Sequence, residues 1–428
     1  MRVYEKILVS AVVALPLVAA FVGAPFVRPD TSDLNRTPAT FPDIAAGDLL
    51  DADEYASISA WLRDRVPLRR QVRYVDTKID REIFGEINTG NVLLGRDGWL
   101  FFEPAIGLAL QPGYDPDDLR AGITRLKRQI EAAGKRFLFV VAPDKPTIYP
   151  QFLRERDLRR QTEVDARLEQ FRDVMRREPV GGFIDVWDEM AAAAGLASEP
   201  IYFPRDTHWT TQGSLVAADM ILDRLAPERP GEPDLSASLA VKRVRPRDFI
   251  PDLVKNAGFD HSEVIQIPDF ERTGIRWKAT GATKTGRTRT VGFAARTADE
   301  AAAPLLPRIA VICDSYGNAL HRSLRLFFKT TTFLHTGSLD TKLARKALED
   351  ADIVLFLRAE RFIWAMSEDM PFAEDSKEVL RLLSTLRRQA ALAPRHGLTE
   401  GARAASGNAA VAPQAFMSPD RLSTNPVW

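Results

Sequence analysis

The sequence is short of the residues that usually announce a chemistry. It has one cysteine in 428 residues, Cys313, which excludes an intramolecular disulfide framework and any zinc site built from cysteines. Histidine is nearly as scarce, with five in the chain and none at metal-ligand spacing from another. Net charge is missing too: Lys and Arg total 58, and so do Asp and Glu, which removes the bulk electrostatic argument for a nucleic-acid partner. Nothing here calls for a metal or a cofactor. The lone thiol does not identify a redox compartment, because a protein that avoids cysteine can live on either side of a membrane. No internal repeat is visible.

What is present is a foldable chain. A hydrophobic share of 45% and a charged share of 27% are those of a soluble protein with enough length for one large domain or two moderate ones. Ile7 to Val27 carry no charged side chain, with Arg2 and Lys6 before them and Arg28 after, close to the ~20 residues that cross a bilayer as a helix. We read residues 1–28 as a signal anchor. A cleaved signal peptide is the competing reading, through Val22-Gly23-Ala24, but Pro25 would follow that cut directly. On either reading the rest of the chain is expected to be exported.

Residues 29–90 read as a linker and juxtamembrane helices, with Pro67 dividing a helical pattern over 52–84. Arg63, Arg65, Arg69, Arg70 and Arg73 crowd that pattern, as a solvated face rather than a contact with anionic lipid. Residues 91–375 form the expected catalytic domain, followed by a helix over 376–395 and a disordered tail over 396–428. Within the domain, "NVLLGRDGWLFF" carries the hairpin signal Asp97-Gly98. Helices near 116–133, 157–177, 210–225, 317–328 and 340–349 alternate with strands at 136–143, 182–187, 308–313, 331–335 and 352–357. That alternation predicts an α/β fold with a parallel sheet covered by helices. Residues 227–305, rich in Pro, Arg, Thr and Gly, read as an insertion or small β subdomain.

Parallel sheets of this kind present reactive groups in the loops at the carboxyl ends of their strands. "RIAVICDSYGNALHRSLRLFF" sets Ser315 at such a junction, between a strand and the first N–H groups of a helix, which can stabilise an oxyanion. The plainer explanation is that Asp314 or Ser315 caps the helix, and on this motif alone it is the commoner one. A serine nucleophile needs a base, and the base an orienting acid. "YFPRDTHWTTQGS" offers both: in an extended segment Asp206 and His208 would project to one side with Cα atoms ~6.5–7 Å apart. Alone, it is equally a helix start, with Trp209 as core and Thr210 or Thr211 as cap. Ser315 on the same predicted sheet edge favours the base. Of the other histidines, only His335 at a strand end competes, and no acid lies within four residues upstream of it.

Together, "NVLLGRDGWLFF", "VVAPDKPTIYP", "YFPRDTHWTTQGS", "VICDSYGN" and "DADIVLFLRAERFI" resemble the SGNH-hydrolase-like proteins of polysaccharide O-acetylation, in particular the alginate O-acetyltransferases of the AlgJ/AlgX type. The resemblance covers roughly residues 55–365. It implies a three-layer α/β sandwich with a central parallel sheet, a small β insertion and a permuted triad order in which acid and base precede the serine. Carried over, Ser315 is the nucleophile, His208 the base and Asp206 its orienting acid. Asp314 and Asn318 would support the loop and the oxyanion, and Lys145, Tyr149, Trp209, Tyr316 and Arg361 would lie towards the substrate. The implied partners are a polysaccharide acceptor and an integral-membrane acetyl donor of the MBOAT class, and the implied location is the periplasmic face of the inner membrane.

Two departures stand out. Cys313 occupies the place of the family's usual glycine before Asp-Ser, where a side chain would narrow the oxyanion hole. As a nucleophile Cys313 is a weaker candidate than as a buried strand residue. Nothing after residue 365 resembles the carbohydrate-binding domain of some members, so the AlgJ-like arrangement is expected. An acetylesterase with the same triad and a non-catalytic polymer-binding scaffold remain the alternatives.

Overall fold

The computed structural model describes residues 91–225, 238–259, 261–285, 288–297, 304–336 and 341–367, with isolated positions at 39–41, 57, 61, 339 and 369. The apolar run 7–27, nearly all of the 29–90 region, the 376–395 helix and the 396–428 tail lie outside the described residues. Among the described residues no helix is long and apolar enough to cross a membrane.

A hairpin opens the described fold: β1 (Val92–Leu94) pairs antiparallel with β2 (Leu100–Phe102). Asp97 and Gly98 both have positive φ, 53° and 77°, and the Trp99 N–H donates to the Arg96 carbonyl at 3.0 Å. Two consecutive positive φ values under one such bond make the turn whose twist matches a hairpin. Helix α1 (Pro116–Ala132) starts at Asp115, whose carboxylate accepts from the Asp117 and Asp118 N–H groups, and Gly134 takes the left-handed conformation just beyond its end.

The central strands follow from unbroken apolar runs. In β3 (Arg136–Ala142) every residue after the first is buried, and β9 (Ile309–Cys313) and β11 (Ile353–Ala359) are buried throughout. A strand buried at consecutive positions is covered on both faces, which suits a parallel sheet under helices. Helices α1 and α2 (Glu155–Arg177) pack together beside β3, and β4 is the short Phe183–Ile184. Helix α3 (Trp187–Leu196) packs on α4 (Thr211–Arg224).

The sheet is mixed rather than parallel. Its order is β4-β3-β11-β9-β10-β8-β7, with β10 at Thr330–His335, β8 at Thr288–Thr297 and β7 at Ile275–Thr285. The first five strands run parallel. β8 pairs antiparallel with β10, and β7 with β8. Half of the supposed insertion therefore extends the main sheet and covers the open edge of β10. The sequence did not disclose this because β7 is exposed over most of its length and filled with Arg, Lys and Thr, unlike the apolar strands beside it. The remaining strands, β5 (Ala240–Phe249) and β6 (Glu263–Glu271), form a separate antiparallel ribbon, linked through helix α5 (Asp252–Asn256).

The strand order decides where the chemistry gathers. β3, β11 and β9 are neighbours, so the residues following their carboxyl ends converge: Asp144 after β3, Glu360-Arg361 after β11, and Asp314-Ser315 after β9. Helices α6 (Gly317–Leu324) and α7 (Lys342–Asp350) return the chain from β9 and β10.

Candidate active site

The segment 203–208 is not extended. The Tyr202–Trp209 bridge closes it into a loop, with Phe203 N–H donating to the His208 carbonyl at 3.2 Å and Asp206 N–H to the Phe203 carbonyl at 3.3 Å. Asp206 and His208 meet because the chain turns: Asp206 Oδ1 accepts from both the backbone N–H (3.0 Å) and Nδ1–H (2.7 Å) of His208. The helix-start reading holds as well. Thr210 is the N-cap of α4, accepting from Gly213 N–H, and Trp209 is buried.

His208 Nε2 faces Ser315, whose hydroxyl lies 2.6 Å away. Asp206, His208 and Ser315, spread over 109 positions of sequence, thus form one hydrogen-bonded relay. Nδ1–H donates to the carboxylate, which leaves Nε2 as the acceptor for the serine proton. The His208 side chain retains 26% exposure and Asp206 only 3%, so the relay opens to solvent at the serine end.

Burial alone would push the Asp206 carboxyl up, but the imidazole and the N–H donors of His208 and Asp252 outweigh it and hold Asp206 below the usual carboxylate range. Burial likewise disfavours the His208 cation, yet Asp206 and then Asp252 raise its basicity above that of a free imidazole. That poises His208 to take a proton and to carry it as the cation.

Ser315 is not a cap. The N-cap of helix α6 is Tyr316, which makes no side-chain capping bond, and Asp314 accepts the Tyr316 N–H at 3.0 Å and the Ala359 N–H at 2.7 Å, tying the serine loop to β11. The helix-start donors expected to receive an oxyanion are occupied: Tyr316 N–H by Asp314, Gly317 N–H by the Asp314 carbonyl and Asn318 N–H by the Ser315 carbonyl. Asn318, three residues after Ser315, is exposed.

The five residues expected towards the substrate are placed as supports. Lys145 is buried, and its ammonium donates to the carbonyls of Phe203 (3.0 Å), Pro204 (2.9 Å) and Asp206 (2.6 Å), pinning the loop from below. Burial lowers Lys145 to about 7, against the pull of Asp206 and Asp252. The Tyr149 hydroxyl accepts from Ile201 N–H at 2.9 Å, and Trp209 Nε1–H donates to the Tyr316 carbonyl at 3.1 Å. The Tyr316 hydroxyl donates to the Thr207 carbonyl at 3.1 Å, while Arg361 is ion-paired with Asp144. Of these, Lys145 and Tyr316 bond to the 203–208 loop itself.

Cys313 points away from the relay. Its thiol is buried under the first turn of α6, where a Cβ on Gly317 would come within 2.4 Å of its sulfur. Burial and the Asp314 charge both push that thiol up, the opposite of what a nucleophile needs. His321 stacks on Phe293 at 5.5 Å, and burial with Arg322 and Arg325 lowers it to about 4. His335 ends β10 in register with Cys313, outside the relay.

Sequence reasoning missed three acids here. Asp144 and Glu360 lie at the ends of β3 and β11. Asp144 takes the Arg361 N–H at 2.7 Å, and Glu360 accepts from Trp187 Nε1–H at 2.9 Å and the Thr147 hydroxyl at 2.8 Å. Both follow apolar strand runs, a position that could have flagged them. Asp252 touches the relay from α5, and nothing in "FIPDLVKN" distinguishes it from an ordinary helix-start acid. Asp206, His208 and Asp252 are also the group of described residues whose ligand-type atoms crowd within 4.8 Å. Those atoms are engaged in hydrogen bonds with one another and with Thr207, so the donor set reads as a braced relay.

Residues 92–288 match the family model for the SGNH hydrolase-like domain of acetyltransferase AlgX, a match that stops short of Ser315. Probable alginate O-acetylases AlgJ of Pseudomonas fluorescens and Pseudomonas syringae pv. tomato are each 25% identical over 183 residues, 42% of this chain. The match spans 45% of the length of each of these curated relatives. Among solved structures, the O-acetyltransferase domain of Pseudomonas putida AlgJ aligns at TM-score 0.41 and 17% identity, covering 69% of this chain and 99% of that one. Pseudomonas aeruginosa AlgX aligns at 0.40 and 15%, covering 65% of each chain. Bacillus cereus PatB1 aligns at 0.42 and 14%, covering 65% of this chain and 98% of that one.

Proposed function

We propose that this chain, an AlgJ/AlgX-type protein by its SGNH hydrolase-like domain over residues 92–288, O-acetylates an exported polysaccharide through an acetyl-serine intermediate. The observation that carries the reading is the relay, Ser315 Oγ to His208 Nε2 at 2.6 Å and His208 Nδ1 to Asp206 Oδ1 at 2.7 Å. In the first half-reaction His208 takes the Ser315 proton as Oγ attacks the acetyl carbonyl of a donor. The Oγ–acetyl bond forms, the donor's acyl bond breaks, and His208 returns the proton to the leaving group. In the second, His208 takes the proton of a sugar hydroxyl, whose oxygen attacks the acetyl-serine. The ester moves to the sugar and the proton returns to Ser315. The Asn318 side chain would receive the carbonyl oxygen in both tetrahedral states.

The donor in this reading is an integral-membrane acyltransferase of the MBOAT class, the acceptor an acidic or neutral polysaccharide such as the alginate named for the relatives. The N-terminal apolar run would hold the domain at the periplasmic face of the inner membrane. Ser315→Ala in the native host tests it: polymer acetyl content is expected to fall to background, and unchanged content would sink the proposal. With the purified full-length protein, an acetylated donor and a polymer acceptor, transfer without matching acetate release separates a transferase from an esterase.

A further inference from the structure

Asp252 comes from the segment that the sequence marks as an insertion, yet it contacts all three residues of the Asp206–His208 turn. Its backbone N–H donates to Asp206 Oδ2 at 2.7 Å. Its own carboxylate accepts from the Thr207 N–H at 2.8 Å and the Thr207 hydroxyl at 2.7 Å. Its Oδ2 then lies 3.7 Å from His208 Nδ1, the nitrogen already bonded to Asp206. Asp206 thus has one oxygen committed to the imidazole and the other to Asp252, which fixes the plane of the carboxylate. A free carboxylate could rotate and lose that bond. Thr207, between acid and base, is held at two atoms by one side chain 45 residues away.

We propose that Asp252 is a positioning residue of the relay and a second negative charge on the His208 imidazolium, so that the β5–α5 segment is part of the acetyl-transfer machinery. The claim rests on the Ser315–His208 reading above. The imidazole is faced by Asp206 from its own turn, by Asp252 from α5, by the Tyr316 ring from the start of α6 and by Arg361 from the end of β11. The Lys145 ammonium, bonded to the Asp206 carbonyl, is within the electrostatic reach of both carboxylates. Of these, the two acids favour the imidazolium and Arg361 opposes it. When Ser315 gives up its proton, the positive charge on His208 meets two carboxylates across Nδ1. Asp252 leaves Nε2, where the proton is exchanged, unobstructed.

The test uses the full-length protein and acetyl transfer to a polymer acceptor. Asp252→Ala removes the anchor of Thr207 and the charge together, and kcat should fall roughly 10- to 100-fold while KM stays within about twofold, the scale expected for displacing a base by a fraction of an ångström. Asp252→Asn keeps an acceptor for Thr207 N–H and loses only the charge. Its kcat should fall less, and the acid limb of its kcat/KM profile should move to lower pH by about half a unit to one unit, because a neighbouring negative charge no longer holds the proton on His208. Asp252→Glu should recover part of the loss and return the limb towards its original position.

A merely structural role for α5 predicts something different: lower thermal midpoints, with kcat and the pH midpoint of the folded protein unchanged. That result would overturn the proposal. If instead Ser315→Ala keeps full transfer, the acetyl-serine reading fails and Asp252 with it. Loss of transfer in Ser315→Ala with unaltered kcat and pH limb in both Asp252 variants rejects Asp252 alone.

Discussion

The two halves of the central sheet handle charge in opposite ways. On the parallel side, β3, β9 and β11 are apolar along almost their whole length, and the charged residues just past their ends are buried: Asp144, Asp314, Glu360 and Arg361 are all at 6% exposure or less. On the antiparallel side, β7 and β8 expose Arg276, Lys278, Lys284, Arg289 and Arg296, with Arg276 directly opposite Arg296 and Lys284 opposite Arg289. Buried charge must be paired and hydrogen-bonded, so it appears where strand ends converge and many main-chain groups are available. Exposed charge is solvated, and the edge ribbon tolerates even like-charge neighbours. The difference teaches that the parallel half can hold a relay in one fixed geometry, whereas the antiparallel half serves chiefly to close the edge of β10.

That contrast sets the scale of its tests. Arg361→Ala should have the largest effect, since it strands the buried Asp144 carboxylate and costs about 3–5 kcal/mol in a urea titration. The control is Arg243→Ala, which removes a guanidinium 57% exposed from its partner Asp269 and should change stability by less than about 1 kcal/mol. Arg243 lies on the separate β5–β6 ribbon, so equal losses would erase the distinction between buried and exposed charge.

Next is the packing under the serine loop. Gly317→Ala would put a methyl 2.4 Å from the Cys313 sulfur and should cost about 1–3 kcal/mol. In a Cys313→Ala background most of that cost should vanish, and a double-mutant cycle with no coupling would disprove the contact.

The pH dependence of the proposed transfer follows from the acids around His208. Its basicity is raised, so the acid limb of kcat/KM should have its midpoint above ~6.5, the ordinary histidine value. Below that midpoint His208 is already protonated and cannot accept from Ser315, and the rate should drop about tenfold per pH unit. The linked stability has the opposite sense. The contribution of the His208 cation is fully present below the unfolded imidazole value and is lost as pH rises through the folded one. A midpoint below the ordinary value would mean that the two carboxylates do not act on the base.

The smallest effect lies at the sheet edge. Arg276→Glu exchanges a like-charge cross-strand pair with Arg296 for an opposite-charge one, and should stabilise by about 0.2–1 kcal/mol at low salt, with the gain shrinking as salt is added. Destabilisation on this substitution would imply that Arg276 makes a favourable contact in the fold.

Legibility divided along the same line. Apolar runs revealed β3, β9 and β11 within a residue or two, because a strand covered on both faces has to be written in apolar residues. β10, half threonine and only partly buried, followed from its place in the alternation. β4 shrank to Phe183–Ile184, as Trp187 belongs to the next helix. β7 and β8 carry no such apolar signature, because β7 is an exposed edge strand and the pairing of β8 with β10 is set by segments far apart in sequence. In the relay, Asp206 and His208 were visible as neighbours, although the geometry that joins them is a loop rather than an extended segment. Lys145, Tyr149, Trp209, Tyr316 and Arg361 lie in motifs that the resemblance singles out. Their burial, and the bonds by which Lys145 and Tyr316 brace the 203–208 loop, cannot be read from those motifs.

By itself, then, the sequence determined the α/β alternation, the serine at the carboxyl end of an apolar strand and the local Asp-x-His pair, because each depends on residues close together in the chain. Only the tertiary structure decided that His208 Nε2 meets Ser315, that the Cys313 sulfur lies under α6 instead of in the relay, and that Asp252 braces Asp206. The contacts of His208 with Ser315 and of Asp252 with the 206–207 turn join residues 45 to 107 positions apart, and side-chain hydrogen bonds across such separations are set by how strands and loops pack, which no local pattern encodes.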